Sequence, residues 1–339
     1  METEGNIRLT SVELTSLWQN YMNDTMSICV LNYFLEVVED EEIHVVLDHA
    51  LSIAKGHVEF VERIFNREDI PIPIGFTDDD VNLKAPRLYE DTFFLYYTKM
   101  MSTGALPYYG SILPNLVKKE IREFFTKCIS TSTDLLNESI ELLTTKGLIV
   151  RPPNISYERD IEYIQKQQFL AGLFGEQRPV TGQEILHIYA NIKTTTLVEA
   201  LTLGFEQVVK SQQVRKHMER GRKIAQKHLE HFTKILHGED LPTPMTWDHT
   251  VTTSNSPPFS DRLMMYHIGF LSCAGIGDYG MAISFTHRRD ISGLYLRVMT
   301  EVGQYAEDGA NIMIENQWME KPPHAPDRDE LTKKKSSHM

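Results

Sequence analysis

The clearest hydrophobic pattern in the chain lies between residues 43 and 64, where apolar side chains recur about every 3.5 residues. This spacing is typical of an α-helix that buries one narrow stripe of side chains in a helical bundle. A histidine occupies one position of the stripe, where an apolar residue would be expected. The stripe consists of Ile43, Leu47, Ala50, Ala54, His57, Val61 and Ile64.

A second copy of this stripe lies 171 residues further along the chain and carries a histidine at the same position. The two copies can be aligned at this offset without a gap from Leu9 and Val180 to Pro152 and Pro323. An unbroken register of this length indicates an internal duplication. The second stripe consists of Val214, Met218, Gly221, Ala225, His228, Phe232 and Ile235.

Each copy is predicted to form four helices. In the first copy the apolar periodicity predicts helices at about 10–39, 43–66, 88–113 and 117–146. Residues 67–86 are rich in proline and aspartate and lack this periodicity, and a long second-to-third connection is typical of ferritin-like bundles. We therefore predict an all-α protein with two tandem ferritin-like four-helix bundles, each enclosing its own apolar interior.

The expected domain boundaries follow from the repeat and from the prolines that flank it. The first bundle spans 8–153 and the second spans 179–323. Residues 154–178 form a joint, in which 156–169 are predicted to be a charged helix. Residues 324–339 are expected to be a flexible tail, because prolines and charged residues dominate them.

Composition excludes some classes of function. The net charge of −13 disfavours binding to nucleic acid or to anionic lipid, both of which attract basic surfaces. The three cysteines form no Cys-x-x-Cys motif and indicate free thiols in a reducing compartment. The amino-terminal residues do not resemble a secretory signal. A cytoplasmic location is therefore expected.

The most apolar stretch, residues 263–285, contains no lysine, arginine or glutamate. Its length would allow it to span a membrane. However, it contains His267 and Asp278, and an aspartate inside a bilayer is costly. We therefore predict a buried helix of a bundle rather than a transmembrane segment, in which several glycines let two helices approach closely.

The standard site of ferritin-like proteins requires inward glutamates on two helices and Glu-x-x-His motifs on the other two. The Glu-x-x-His motif occurs at Glu41-x-x-His44 and at Glu184-x-x-His187. Both lie near the start of a predicted helix, and neither has a counterpart 171 residues away. They are better explained as chance matches, so oxidase and ferroxidase activities have no support in the sequence.

The histidine of the first stripe is predicted to form a buried polar pair. The turn near residue 40 joins the first two predicted helices, and residues equally far along the chain from this turn lie at the same depth in the bundle. This depth counting places Asp24 opposite His57. A buried imidazole needs such a polar partner. Thr195 occupies the position of Asp24 in the second copy, so this pair is not expected there.

The second copy offers a candidate metal site instead. His231 lies one helical turn from His228, and the same depth counting places Asp278 and Glu301 near these two histidines. Two histidines and two carboxylates could bind zinc or iron. His267 and Asp308 also fall at similar depths, where they would simply pair with each other.

Several runs of residues resemble the family catalogued as domain of unknown function 3231, over about residues 8 to 330. This family occurs in endospore-forming bacteria and is distantly similar to spore coat protein F. The resemblance implies a duplicated ferritin-like fold and no established activity. The runs are Ile70-Pro-Ile-Pro-Ile-Gly-Phe-Thr-Asp-Asp-Asp, Gly204-Phe-Glu-Gln-Val-Val-Lys, Pro257-Pro-Phe-Ser-Asp-Arg-Leu-Met-Met-Tyr-His, Glu307-Asp-Gly-Ala-Asn-Ile-Met-Ile and Trp318-Met-Glu-Lys-Pro-Pro.

We therefore expect a non-enzymatic helical structural or interaction protein, associated with sporulation or the spore coat and located in the cytoplasm, the forespore or the spore. Its partner would be another protein or a second copy of the chain, with neither nucleic acid nor a transmembrane segment involved. The alternative is a ferritin-like protein that binds iron or zinc in its second bundle, through His228, His231, Asp278 and Glu301. No catalytic residues and no other cofactor are predicted.

Overall fold

The structure is a computed structural model that describes residues 8–156, 160–172 and 177–328. Within these ranges the chain forms eight α-helices and no β-strand, as the periodicity predicts. The helices form two tandem sets of four, which confirms the all-α duplicated fold. Their bounds are α1 Ser11–Val37, α2 Glu41–Arg67, α3 Asp91–Ile112, α4 Lys119–Thr145, α5 Gly182–Val208, α6 Gln212–His237, α7 Asp261–Phe285 and α8 Arg289–Glu315.

A buried glutamate joins the starts of the first and fourth helices in the first half. The side chain of Thr10 accepts from the backbone N–H of Glu13, while the Glu13 carboxylate accepts from the N–H of Thr10. This capping box satisfies two amides that the helix leaves unpaired. The other oxygen of Glu13 accepts from the N–H groups of Val117 and Lys118, just before α4.

Glu184 repeats this arrangement in the second half. It forms a capping box with Thr181 at the start of α5 and accepts from the N–H groups of His287 and Arg288 before α8. Arg178 adds an ion pair at 2.8 Å. Glu184 is therefore a structural capping residue, consistent with a chance match to the Glu-x-x-His string.

The offset between the halves is not constant along the chain. Helices α1 and α5 differ by 171 residues, and Asp69 and Asp240 share a left-handed backbone at that offset, with φ of 54° and 56°. From the 3₁₀ turns Asp78–Asp80 and Asp248–Thr250 onward, the offset is 170. The gapless alignment is therefore wrong from this point onward, because the second half has one residue fewer between Asp240 and Asp248 than the first half has between Asp69 and Asp78.

The two long connections pair with each other across an approximate two-fold axis. Antiparallel bridges join Val81 to Phe259 and Tyr89 to Val251, and each bridge maps onto the other at the offset of 170. Aromatic contacts follow the same symmetry. His267 corresponds to Tyr97, and their side chains meet each other, with 3.2 Å between Nε2 and Oη.

The largest apolar core combines residues of both halves. It includes Phe34, Phe94 and Tyr97 of the first half together with Phe205 and Phe259 of the second. The expectation that each half encloses its own interior is therefore wrong for this central region. Two smaller apolar clusters each belong to one half. One lies among α1 to α4 and includes Phe65 and Phe125, and the other lies among α5 to α8 and includes Phe232 and Tyr295. The eight helices consequently share one central core.

The joint between the halves differs from its prediction. Residues 160–166 are not helical, and a single 3₁₀ turn follows at Gln167–Leu170. Residues 157–159 of the helix predicted over 156–169 lie outside the described residues, as do residues 329–339 of the predicted tail. Ile161, Tyr163 and Ile164 are all at least 66% exposed, so the apolar side chains of this segment do not hold a helix against the bundle.

Candidate functional site

The structure brings Asp24 and His57 together between α1 and α2. Nδ1 of His57 lies 3.2 Å from Oδ2 of Asp24, and both side chains are buried. Asn20 donates to the same carboxylate oxygen at 2.7 Å. Burial raises the pKa of Asp24, while the neighbouring His57 and Asn20 lower it. The carboxylate fixes the orientation of the imidazole ring, and Nε2 has no hydrogen-bond partner among the described residues.

His57 lies at the wall of an open groove between α2 and α4, with a volume of about 540 Å³. The rings of Phe60 and Phe124 stack at 4.0 Å to form an apolar part of the wall. Gly56 also lines the groove, and a side chain built at this position would meet nothing within 4 Å. This volume is in the range of small-molecule sites.

The corresponding position in the second half is closed. Nδ1 of His228 lies 3.1 Å from the hydroxyl of Tyr279, and Nε2 lies 3.0 Å from Oε2 of Glu301. Lys227 pairs with the same glutamate at 2.8 Å, at the position where the first half has Gly56. Both nitrogens of His228 are thus satisfied. Thr131 stands at the position of Glu301 in the first half, at the offset of 170, so the exchange of threonine for glutamate is the sequence difference that accompanies the closed histidine.

The four predicted metal ligands are not assembled. His228 and Glu301 meet, but Nε2 of His231 lies 3.2 Å from Arg297, and Asp278 contacts Thr194. In the described part of the chain, no three histidine, cysteine, aspartate or glutamate side chains converge on one point. The predicted set is therefore corrected to a single pair. Depth counting gives the level of a residue along a bundle but not the direction of its side chain.

His267 and Asp308 also have separate environments. His267 is completely buried at the centre of the molecule, and burial lowers its pKa to about 3, so the ring is neutral. Its Nδ1 has no hydrogen-bond partner among the described residues. Asp308 instead forms an ion pair with Arg220 on α6. The predicted pair between these two residues is wrong.

Helix α7 is the one helix of the described residues that is long and apolar enough to cross a membrane by length and composition. Only 28% of its most apolar 18-residue window is buried. One such helix is weak evidence for a membrane span. Its position against α5 and α8, with His267 in the shared core, identifies it as part of the helical assembly.

One face of α7 is exposed and has no partner within the described chain. A side chain built at Gly277 or Gly280 would meet nothing within 4 Å, so these glycines do not bring two helices of this chain together, contrary to the prediction. Met281 and Phe285 on the same side are 51% and 40% exposed. The exposed face consists of Cys273, Gly277, Gly280, Met281, Ser284 and Phe285.

The comparison with protein families agrees with the duplication. The profile of the family described as protein of unknown function DUF3231 matches residues 2–161 and again residues 168–331. A solved structure, described as a "putative spore coat protein" from Bacillus halodurans C-125, is 12% identical with a TM-score of 0.40. It covers 44% of this chain and 98% of its own. No curated protein matches the chain.

Proposed function

The chain belongs to the DUF3231 family of proteins of unknown function, and we propose that it is a non-enzymatic helical structural or interaction protein of the sporulating cell. The resemblance to a family of endospore-forming bacteria supports the cellular setting, in the forespore or the spore. The exposed apolar face of α7 supports the molecular role, and it is the observation on which the proposal depends.

The α7 face has the properties of a protein contact surface. It combines small residues with the exposed apolar side chains of Met281 and Phe285, and it carries no charged side chain. Small residues allow a facing helix to approach closely, while apolar side chains gain free energy when they leave water. Such a face in an otherwise acidic chain is a place where another protein can bind.

We propose a second copy of the chain as the occupant. The net charge of −13 makes two copies repel each other over most of their surfaces, so an uncharged face is where they can meet. A symmetric dimer uses the same patch on both subunits and therefore brings identical residues together. Cys273 lies on this face and is the exposed cysteine, whereas Cys29 and Cys128 are buried.

Crosslinking through Cys273 tests this arrangement. A short bis-maleimide should convert the wild-type protein to a covalent dimer, and Cys273→Ser should prevent the reaction. In light scattering after gel filtration, Met281→Glu should shift the protein to monomer because it places a charge in the contact. Val45→Glu is the matched control: Val45 is 68% exposed on α2, away from this face, so the dimer should persist.

A protein that stays monomeric at all concentrations and gives no crosslink through Cys273 would contradict self-association through α7. The cellular part of the proposal has a separate test. A fluorescent fusion expressed from the native promoter should appear during sporulation and follow the forespore. Equal expression throughout vegetative growth would contradict it.

A further inference from the structure

Two lysines from different halves lie side by side where α3 meets α5. The crossing point is marked by Tyr96, whose hydroxyl donates to the backbone carbonyl of Lys193 at 2.8 Å. Lys99 is only 8% exposed, its ammonium group lies 3.4 Å from the sulfur of Met100, and its side chain interacts with that of Lys193. The amine of Lys193 lies 5.5 Å from the ring centroid of Tyr189.

No carboxylate neutralises this pair. Among the described residues, neither lysine forms an ion pair, and no carboxylate is among the groups that act on the pKa of Lys99 or of Lys193. Burial and the like charge of Lys193 lower the pKa of Lys99 to about 7, and burial also lowers the pKa of Lys193. Two ammonium groups side by side in a largely buried site are unfavourable unless one loses its proton or an anion joins them.

The other titratable groups near this site form no ion pair with either lysine among the described residues. Burial raises the pKa values of Tyr96 and Tyr189, so their hydroxyls stay neutral. Asp278 on α7 contacts Thr194, and burial raises its pKa as well. The ring of His249, in the second connection, contacts Trp247, which stacks on the ring of Tyr96. Neither lysine is therefore paired with a carboxylate in the described part of the chain.

Packing does not require lysines at these positions. The approximate two-fold axis relates Lys193 to Met22, at the offset of 171, and Lys99 to Gly269, at the offset of 170. Met22 is 2% exposed, so the equivalent place between α1 and α7 is filled by an uncharged side chain. At the symmetry-related interface between α1 and α7, the same fold therefore packs without a charged side chain at either position.

We propose that Lys99 and Lys193 bind a phosphate group or a similar tetrahedral oxyanion at the interface between the two halves. The oxyanion offsets both positive charges and accepts hydrogen bonds from both ammonium groups, for which lysine is a well-suited donor. Lys193 is partly exposed and gives the anion access from solvent. Because the two lysines come from different halves, the bound anion also stabilises their association. This site is independent of the α7 face.

Thermal unfolding with a defined anion tests the proposal. Inorganic phosphate and sulfate should raise the Tm of the full chain progressively with concentration, compared with chloride at equal ionic strength. Sulfate keeps its charge across the pH range, so it isolates the titration of the lysines. Its effect should be larger at pH 6 than at pH 9, because Lys99 is protonated only below its lowered pKa.

Single substitutions locate the effect. Lys193→Met copies the residue of the other half and should weaken sulfate binding about tenfold or more, the loss typical of one charge-assisted hydrogen bond. Lys99→Met should do the same, whereas Lys166→Met, an exposed lysine of the joint, should leave the effect unchanged. Equal stabilisation by sulfate in all three variants would overturn the proposal, as would a wild-type protein that does not distinguish sulfate from chloride.

A measurement on the wild-type chain does not depend on whether the variants fold. In protein labelled with ¹³C at the lysine Cε atoms, one resonance should titrate near pH 7, and sulfate should move its midpoint upward by favouring the charged amine. A midpoint that sulfate does not move would contradict binding at Lys99. If inorganic phosphate and sulfate both act, phosphorylated small molecules can then be compared at the same resonance.

Discussion

At the residue scale, one histidine position has two different environments in the same protein. His57 uses Nδ1 for Asp24 and faces an open groove, whereas both nitrogens of His228 are engaged by Tyr279 and Glu301. The difference comes from neighbouring positions rather than from the histidine itself. The stripe pattern therefore identifies a buried imidazole, while its role depends on the side chains that surround it.

The Asp24–His57 pair makes a prediction about stability. Asp24→Ala should lower the free energy of unfolding by about 1–3 kcal/mol, because it leaves the buried nitrogen of His57 and the amide of Asn20 without their acceptor. Urea unfolding at pH 7 measures this loss. Asp48→Ala, at an exposed position of α2, is the control and should have an effect near zero. Equal effects would mean that the pair contributes nothing.

At the element scale, helix starts are fixed by side chains that the sequence shows directly. The Thr-x-x-Glu pattern precedes both α1 and α5, and in both halves the glutamate also accepts amides from the start of the fourth helix. The capping box is local and can be read from four residues. Its second role, joining two helices that lie about 100 residues apart in the chain, depends on the packing.

Glu184 gives a prediction about pH dependence. Burial alone would raise its pKa, but hydrogen bonds from Arg178 and from the backbone of Thr181 and Arg288 lower it to about 2. A lowered pKa stabilises the folded state above about pH 4.5, and this contribution is lost as the pH falls toward 2. Glu184→Gln should therefore lower stability at pH 7, and the difference from wild type should shrink at pH 3.

Urea unfolding at the two pH values measures that difference. Glu13→Gln is a useful comparison, because burial and the backbone hydrogen bonds act on Glu13 in the same way but no arginine is paired with it. Its effect should have the same sign and be smaller. A difference between Glu184→Gln and wild type that stays constant from pH 7 to pH 3 would contradict the assigned role of the charge.

At the scale of the whole molecule, the halves are joined by a core to which both contribute. The connection of the first half reaches α5 of the second, where the hydroxyl of Tyr89 donates to the carbonyl of Leu201 at 3.1 Å. Gly204 lies directly beneath this ring, so the absence of a side chain is what allows the contact. At the equivalent position of α1, Tyr33 packs edge-on against Phe259. The interface is thus complementary rather than strictly symmetric.

This contact predicts different effects for two glycines. Gly204→Ala should destabilise the protein by about 1–3 kcal/mol, because the added methyl group overlaps the hydroxyl of Tyr89. Gly56→Ala should instead stabilise it by roughly 0.5–1 kcal/mol, since it has open space on a helix. Denaturant unfolding measures both. The cost of Gly204→Ala should fall in a Tyr89→Phe background; an unchanged cost would exclude this contact as its cause.

The sequence by itself determined the helices, the duplication and the pairing of Asp24 with His57. The helices and the duplication follow from the spacing of apolar positions, and the pairing follows from the number of residues between each partner and the turn. Both quantities can be counted directly along the sequence. The starts of α1 and α5 could also be located from the sequence, because a capping box marks each of them. The one-residue change of offset lies in the connection, where no periodic pattern reveals it.

Only the tertiary structure decided how the halves meet and where side chains point. A stripe of apolar residues shows that a face is buried but not against which partner, so the shared core and the adjacent Lys99 and Lys193 could not be deduced. The metal set failed for the same reason, since His231 and Asp278 have suitable levels but lie beside Arg297 and Thr194. Direction around a helix axis is fixed by packing, and packing exists only in three dimensions.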